Sequence, residues 1–226
     1  MERYELKYYI SKTTAASLKS VLGALFEKDN HSSEDGSYMI SSTYFDDREF
    51  SSYFDKNAGN DFRDRWRIRS YNGSEEYIRL ERKSKKGDTS VKSGKKISAE
   101  TAVSFMNDGI RNIPLPQGKI LLSDFYSDVS QKSLIPVVTV DYKRTAFMHH
   151  LSDVRITIDE NIKACRYKEP FDRNTAKLLL PDEDLSILEV KYTAGIPDMI
   201  RSILSQYPMD RCSISKYAMS LESFIE

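Results

Sequence analysis

The sequence predicts an α+β fold in which antiparallel strands dominate and helices pack outside them. Five segments alternate charged and apolar residues, namely residues 3–10, 65–69, 78–83, 154–159 and 188–192. Because successive side chains on a strand point to opposite faces, each segment has one charged and one apolar face. An ordinary two-sided sheet has one or two such strands, so five favour a second surface lined with Arg, Lys and Glu. A closed barrel with a polar lumen has this surface, and a cationic lumen favours a polyanion.

Local signals predict the elements between these strands. The stripe of Leu18, Leu22 and Leu25 predicts a helix with Ser11 or Thr13 as its cap. Asn72-Gly73 predicts a tight turn, and Pro197 is expected at a first helical position. In chain order we predict a helix over Ser11–Phe26, a polar loop over Glu27–Ser37, a strand over Tyr38–Asp46, a helical turn and loop over Asp47–Gly59, strands over Phe62–Tyr71 and Glu76–Lys83, a lysine-rich hairpin over Lys83–Lys96, helices over Ser98–Asn107 and Lys119–Ser130, strands over Val137–His149, Val154–Ile162 and Ile187–Tyr192, a helix from Pro197 to about Tyr207, and a short strand or turn followed by a helix over Ser215–Glu226.

Composition places the chain among soluble globular proteins and limits its partners. The 34 Lys and Arg residues equal the 34 Asp and Glu residues, which argues against a nucleic-acid binder with a broadly basic surface. Cys165 and Cys212 match no metal-binding spacing, so we expect free thiols in a reducing cytosol. No apolar run has the length of a membrane span. We therefore predict a cytoplasmic protein, and no composition shift divides residues 1–226 into more than one domain.

Common catalytic motifs are missing from the sequence. It has no Walker loop and no Gly-x-Ser-x-Gly elbow, and the pair His149-His150 reads as a solvated turn. Without a nucleophile and its base, covalent catalysis is not expected. What remains is a set of cations with three carboxylates. The cations are Lys7, Arg67, Arg69, Lys83, Lys92, Arg144, Arg155, Lys191 and Lys216, and the carboxylates are Glu5, Glu81 and Glu189.

The spacing Glu-x-Lys occurs three times, at Glu5-x-Lys7, Glu81-x-Lys83 and Glu189-x-Lys191. On a strand, residues i and i+2 share a face, so each carboxylate lies beside its lysine. Basic groups that bind phosphate oxygens, together with carboxylates that hold a divalent metal, are the equipment for a phosphate chain. A single Glu-x-Lys pair is more often a solvated face with a weak ion pair. Three such pairs, together with Arg67-x-Arg69 and Arg144, favour a binding site for a phosphate anion over a solvated face.

Eight segments in order resemble one protein family over essentially the whole chain. They are Arg3-Tyr4-Glu5-Leu6-Lys7-Tyr8, Ser42-Thr43-Tyr44-Phe45-Asp46, Arg65-Trp66-Arg67-Ile68-Arg69-Ser70-Tyr71, Leu80-Glu81-Arg82-Lys83, Tyr142-Lys143-Arg144-Thr145-Ala146-Phe147, Val154-Arg155-Ile156-Thr157-Ile158-Asp159, Ile187-Leu188-Glu189-Val190-Lys191-Tyr192 and Ser215-Lys216-Tyr217. Together they resemble the catalytic domain of the vacuolar transporter chaperone (VTC) polyphosphate polymerases, which are triphosphate tunnel metalloenzymes. The resemblance implies an eight-stranded antiparallel β tunnel barrel with helices packed outside.

The resemblance also implies a function and a set of site residues. It implies transfer of the terminal phosphate of ATP onto a polyphosphate chain, with Mn²⁺ or Mg²⁺, and it admits a membrane-protein partner. Glu189 would be the main metal ligand, with Glu5 and Glu81 as further carboxylates. Lys92 is the first candidate for the basic residue on the hairpin, and Lys95 and Lys96 are alternatives. The catalytic, phosphate-binding residues would be Lys7, Arg67, Arg69, Lys83, Arg144, Arg155, Lys191 and Lys216.

Two other functions are compatible with the same residues. Tunnel hydrolases begin with Glu-x-Glu-x-Lys, whereas this chain has Arg3 at the first position, which favours the polymerase branch. A hydrolase of triphosphate or nucleoside triphosphates is the alternative, and a non-catalytic polyphosphate-binding sensor is a third. In each case we expect the side chains of Arg67 and Arg144 to neutralise an anion without supporting the core.

Overall fold

A computed structural model describes residues 4–28, 36–60, 62–86, 89–107, 120–149, 152–166, 177–179 and 183–225. These residues form an α+β fold with a largely antiparallel sheet, as the sequence predicts. No helix in the described ranges is long and apolar enough to cross a membrane. The N-terminal Arg3 of the first motif lies outside the described residues.

The strands are short to medium in length and alternate with helices along the chain. The strands are β1 (Tyr4–Ser11), β2 (Glu27–Lys28), β3 (Ser37–Asp46), β4 (Phe62–Tyr71), β5 (Ile78–Lys86), β6 (Thr89–Ile97), β7 (Ile135–Met148), β8 (Arg155–Arg166), β9 (Lys177–Leu178), β10 (Leu185–Tyr192) and β11 (Asp210–Arg211). The helices are α1 (Lys12–Leu25), α2 (Ser51–Asn57), α3 (Ala99–Asn107), α4 (Ile120–Lys132), α5 (Asp198–Leu204) and α6 (Lys216–Ile225).

Hydrogen bonding orders the strands as β11-β1-β10-β8-β7-β3-β4-β5-β6, with β2 beside β7 and β9 beside β8. This order holds nine strands in its main path among the described residues, where the resemblance implies eight. The two-residue strands β2, β9 and β11 carry no alternating pattern, so the sequence did not predict them. Closure of the sheet into a barrel stays a prediction.

The chain divides into two compact units. Unit 1 comprises Met1–Met39, Asp141–Lys163 and Leu178–Met219. Unit 2 comprises Ile40–Val140, Ala164–Lys177 and Ser220–Glu226. The sequence shows no composition shift at these borders, and the prediction of one domain over 1–226 stays a prediction.

The core of unit 1 lies between α1 and the apolar face of three strands. Leu18 and Leu22 of α1 pack in one cluster with Ile156 of β8 and with Leu188 and Val190 of β10. On β1, Leu6, Tyr8 and Ile10 belong to the same cluster, so the apolar face is the one that the alternation predicts. Glu5 and Lys7 of β1 and Glu189 and Lys191 of β10 therefore point to the other face of the sheet.

The core of unit 2 lies between the sheet and helices α3 and α4. Trp66 and Ile68 of β4 and Leu80 of β5 pack with Phe105 of α3 and Phe125 of α4. The indole Nε1 of Trp66 donates a 2.7 Å hydrogen bond to Asp128, which satisfies the one polar atom that this large side chain buries. Here too the arginines between the apolar residues of β4 point to the opposite face.

The predicted boundaries agree closely with the structure at the caps and the turn. Ser11 is the N-cap of α1, and its hydroxyl accepts a 3.0 Å hydrogen bond from the Thr14 amide. Asn72 and Gly73 both have positive φ, as the tight turn requires. Pro197 is the N-cap of α5 and precedes the first helical residue, so its predicted position is wrong by one residue.

Candidate functional site

In unit 2, the carboxylate of Glu81 gathers four cations, and we call this group the Glu81 cluster. Arg67 donates from Nε and Nη2 to Oε2 of Glu81, both at 2.7 Å. Lys92 binds Oε1 at 2.9 Å, while Arg79 and Arg69 lie 3.8 Å and 4.0 Å from the carboxylate oxygens. Three of the four, Arg67, Arg69 and Lys92, are predicted phosphate-binding residues. One negative charge therefore stands against four positive charges.

The surroundings of Glu81 keep it ionised. Burial alone would raise the pKa of its carboxyl, but the charges of Arg67, Arg69 and Lys92 outweigh burial and lower the pKa to about 2. Burial and the positive charge of Arg67 both disfavour the charged form of Lys92 and lower its pKa to about 8. Lys92 is thus held in an excess of positive charge, which is what an anion site requires.

Strand register decides among the three hairpin lysines. Lys92 of β6 is paired with Lys83 of β5, and both lie on the face of Glu81. Lys95 is paired with Leu80, so it lies on the opposite face. Lys96 shares the face of Glu81, but its Nζ lies over the Tyr77 ring at 5.9 Å from the centroid. The residue that contacts the carboxylate is Lys92, the first candidate from the sequence.

Gly94 is the residue of β6 that is paired with Glu81. A Cβ at this position would lie 2.9 Å from Nη2 of Arg79 and 3.4 Å from Cγ of Glu81. The lack of a side chain therefore lets Arg79 approach the carboxylate. Lys83 shares this face by register and is exposed, and its role stays a prediction.

In unit 1, Asp159 organises the cations, and we call the group around it and Glu189 the Asp159–Glu189 cluster. Asp159 is fully buried and accepts from Nε and Nη2 of Arg144, both at 2.6 Å. Lys216 binds its Oδ2 at 2.6 Å. Both cations also make cation–π contacts with Tyr142, because Cζ of Arg144 and Nζ of Lys216 lie 5.3 Å and 4.8 Å from the centroid of its ring.

Glu189 joins the same cluster through longer contacts. Its oxygens lie 3.1 Å from Nζ of Lys191, 3.5 Å from Nη2 of Arg144 and 3.7 Å from Nζ of both Lys7 and Lys216. Burial raises the pKa of Glu189, but these four cations outweigh it and hold the pKa well below its ordinary value. The same balance lowers the pKa of Asp159.

Glu5 completes the cluster at the end of β1. Its Oε1 lies 3.2 Å from Nζ of Lys7 and 3.9 Å from Nζ of Lys191, so Glu5 and Glu189 share two lysines. Lys7 also donates to the carbonyl of Ile214 at 2.8 Å. Arg155, another predicted residue of unit 1, donates from Nη2 to the hydroxyl of Tyr38 at 3.2 Å.

Asp159 and Thr157 lie beside the predicted residues, and the sequence did not predict them as members of the site. Asp159 ends the motif at 154–159, two residues from Thr157 and four from Arg155, so the alternation places all three on one face. That pattern could have identified Asp159 as the partner of a buried cation. The structure also contradicts the expectation that Arg144 has no structural role, because Arg144 is 7% exposed and neutralises a buried carboxylate.

The donor atoms around Glu189 fit a divalent metal. Among the described residues, no three His, Cys, Asp or Glu side chains form a ready-made metal site. Mg²⁺-like ions are often bound by one or two carboxylates and by oxygens of the substrate phosphates, and Glu189 and Glu5 supply two carboxylates. Thr157, which is paired with Glu189, has a buried Oγ1 without a hydrogen-bond partner in the described part of the chain. This hydroxyl is a further oxygen donor beside Glu189.

Comparison with known proteins agrees with the resemblance. The family model of the VTC domain matches residues 2–225. A protein from Bacillus halodurans, provisionally described as an adenylate cyclase, has a TM-score of 0.56 and 16% identity, with 95% of this chain and 96% of that chain covered. A protein from Pyrococcus horikoshii OT3 has a TM-score of 0.51 and 16% identity, with 98% and 99% covered. These two likenesses concern the fold. No curated protein matches the sequence.

The first prediction concerns the buried pair of Arg144 and Asp159. Arg144→Ala leaves the fully buried Asp159 with Lys216 as its nearest cation. We expect the free energy of unfolding to fall by about 3–5 kcal/mol, as when one partner of a buried pair is removed. Urea denaturation at an unchanged m-value measures the loss. Arg144→Lys, which keeps the charge, is the control and should lose less; a loss below about 1 kcal/mol for Arg144→Ala would match a surface pair instead.

The second prediction concerns how the free energy of unfolding depends on pH in the acid range. The pKa of Glu81 is about 2 in the folded protein and 4.5 ordinarily, so the unfolded chain binds more protons between these values. The stability that Glu81 contributes is therefore complete above pH 4.5 and is lost as the pH falls toward 2. Glu81→Gln should be less stable than the wild type at pH 7, and the difference should shrink on acidification. Parallel curves of unfolding free energy against pH for the two proteins would contradict this.

Proposed function

Because this chain belongs to the VTC domain family, we propose that it is a metal-dependent polyphosphate polymerase that transfers the terminal phosphate of ATP onto a polyphosphate chain. The observation that carries the proposal is the charge of the two clusters. Four cations face one carboxylate in the Glu81 cluster, and in the Asp159–Glu189 cluster Lys7, Arg144, Lys191 and Lys216 face the three carboxylates of Glu5, Asp159 and Glu189. Four cations lie within 4.0 Å of Glu81, and four lie within 3.7 Å of Glu189. An excess of fixed positive charge favours a bound polyanion.

Phosphoryl transfer needs few groups besides cations that position the phosphates and neutralise their charge. Its transition state spreads negative charge over the phosphoryl oxygens, so positioning and charge neutralisation supply most of the catalysis. In this proposal Arg67 and Arg69 are phosphate-binding residues of unit 2, and Lys7 and Lys191 are phosphate-binding residues of unit 1. The full phosphate-binding set is Lys7, Arg67, Arg69, Lys83, Lys92, Arg144, Arg155, Lys191 and Lys216.

The carboxylates have a separate role in the proposal. Glu189, with Glu5, would hold Mn²⁺ or Mg²⁺ in unit 1, and Glu81 would be a carboxylate of the site in unit 2. When bound, such an ion supplies charge neutralisation at phosphate oxygens. The carboxylate of Glu189 is ionised at neutral pH, because its four cations hold its pKa well below the ordinary value. It is therefore available as an anionic ligand without loss of a proton.

The proposal also includes the closed barrel, the cellular location and the partners of the protein. We propose that residues 1–226 act as one domain with an eight-stranded tunnel barrel, in the cytoplasm, with ATP and polyphosphate or triphosphate as its partners. A membrane-protein partner stays a prediction. The alternatives from the sequence, a triphosphate hydrolase and a non-catalytic sensor, are distinguished by what the protein makes from ATP.

The third prediction tests the reaction. The protein incubated with ATP and Mn²⁺ should produce a phosphate polymer, seen as internal-phosphate signals by ³¹P NMR. Arg67→Ala removes a charge-assisted contact and should lower the rate about a hundredfold, which corresponds to about 3 kcal/mol in the transition state. Arg201→Ala, at an exposed position of α5, is the matched control and should keep the wild-type rate. Free phosphate without polymer would identify a hydrolase, and no turnover of ATP would identify a sensor.

The fourth prediction separates binding from turnover. Glu189→Gln keeps the shape of the side chain but removes the negative charge that four cations face. We expect metal-dependent turnover to be abolished while tripolyphosphate binds at least as tightly as to the wild type, because the anion no longer competes with the carboxylate. Calorimetric titration with tripolyphosphate, without metal, measures the second effect. Weaker binding to a folded Glu189→Gln protein would show that Glu189 positions the cations instead.

A further inference from the structure

Two side-chain hydroxyls of unit 1 are buried without a hydrogen-bond partner in the described part of the chain. They are Oγ1 of Thr157 on β8 and Oγ of Ser186 on β10, and the two residues are 1% and 0% exposed. A buried hydroxyl gives up its hydrogen bonds to water, so without a partner in the protein it lowers the stability of the fold. The surroundings of the two hydroxyls differ, and the difference indicates what Thr157 can bind.

Ser186 lies on the apolar face of the sheet. It is paired with Ile10 of β1 and shares its face of β10 with Leu188 and Val190. All three of these residues belong to the core cluster of unit 1. A hydroxyl with hydrocarbon neighbours has no second oxygen donor with which to bind an ion. Ser186 is therefore the comparison for Thr157.

Thr157 lies on the charged face. Ile156 and Ile158, its neighbours along β8, belong to the core cluster, so the side chain of Thr157 points the other way. Thr157 is paired with Glu189, and Glu189 is paired with Lys7, so one row of side chains crosses β8, β10 and β1. The Cβ atoms of such a directly opposed pair are about 4.5–5.5 Å apart. The hydroxyl and the carboxylate are therefore within reach of one small ion.

The side chains that crowd Glu189 leave this hydroxyl aside. Four cations lie within 3.7 Å of the carboxylate oxygens, the nearest being Nζ of Lys191 at 3.1 Å. In the described residues none of them donates to Oγ1 of Thr157, and Oγ1 does not donate to Glu189. The oxygen lone pairs of Thr157 are thus available to a ligand. Hard divalent cations prefer oxygen donors, and a Ser or Thr hydroxyl binds Mg²⁺ beside phosphates in the P-loop.

From this arrangement we infer that the hydroxyl of Thr157 is a ligand, together with Glu189, of the divalent cation in the proposed function. The ion is a polar partner for the buried hydroxyl, and a neutral ligand adds a donor atom to the site without adding a charge. Oxygen donors of this kind suit Mg²⁺ or Mn²⁺ better than ions that prefer sulfur. The inference rests on the proposed function, because it takes Glu189 as the main metal ligand.

The test removes the hydroxyl and measures metal binding directly. Thr157→Val replaces the hydroxyl by a methyl group of similar size. In a titration of the protein with Mn²⁺ alone, followed by the electron paramagnetic resonance signal of the free ion, the affinity should fall at least about tenfold, as substitutions at metal sites typically do. Thr157→Ser keeps the hydroxyl and should keep the affinity. Ser186→Ala is the matched control, since it removes an equally buried hydroxyl from the opposite face and should leave the affinity unchanged.

Metal-free stability separates a ligand from a structural residue. In urea with a chelator, the free energy of unfolding of Thr157→Val should equal or exceed that of the wild type, because the substitution removes an unpartnered polar group. A lower value, or a variant that does not fold, would show that the hydroxyl supports the fold and would overturn the inference. A loss of Mn²⁺ affinity in Thr157→Ser as large as in Thr157→Val would attribute the effect to packing and overturn it as well.

The remaining outcomes distinguish the inference from the proposed function. Equal Mn²⁺ affinities of Thr157→Val and the wild type would overturn the inference and leave the proposed function intact. Calorimetric titration with tripolyphosphate in the absence of metal should give the wild-type affinity for Thr157→Val. Weaker binding there would assign the hydroxyl to a phosphate oxygen instead and overturn the inference. A wild-type protein that binds no Mn²⁺, alone or with tripolyphosphate, would overturn both the inference and the metal dependence of the proposed function.

Discussion

The cations of the site depend on buried carboxylates that hold them together. Asp159 is fully buried and binds Arg144 and Lys216 at 2.6 Å, and Glu81 binds Arg67 and Lys92 at 2.7–2.9 Å. Without these anions, neighbouring cations at such distances would repel one another strongly in a medium of low dielectric constant. The carboxylates thus fix the positions of basic side chains before any ligand binds, which is the condition for electrostatic preorganisation.

The contact distances separate a structural carboxylate from an exchangeable one. The contacts of Asp159 are short and bidentate, and its burial makes the loss of a partner costly. The contacts of Glu189 are longer, at 3.1–3.7 Å, and two of its partners, Lys7 and Lys191, retain about a quarter of their side-chain exposure. The two lysines can therefore turn toward a phosphate at little cost. Arg144 and Lys216 keep Asp159 neutralised whether or not a phosphate is bound.

The sequence predicted the faces of the strands better than the partners within each face. The alternation in β1 and β4 placed Leu6 and Trp66 in the cores and Lys7 and Arg67 on the charged face, because the side-chain period of a strand is two. The choice of Lys92 over Lys95 depended on the register of β5 with β6, which composition does not reveal. Asp159 was missed because its partner is fifteen residues away, on β7, and only tertiary pairing brings the two together.

Under the proposed function, the balance of charge in the clusters favours a phosphate chain over a single phosphate. A buried ion pair gains little from a monovalent anion, because the anion must displace the carboxylate that already neutralises the cation. A chain of phosphates meets several cations at once, so the entropy cost of binding is shared among many contacts. Around Glu81, the surplus of three charges that remains after neutralisation, from Arg67, Arg69, Arg79 and Lys92 against one carboxylate, is spread over three strands. An extended polyanion can neutralise such a surface without displacing Glu81.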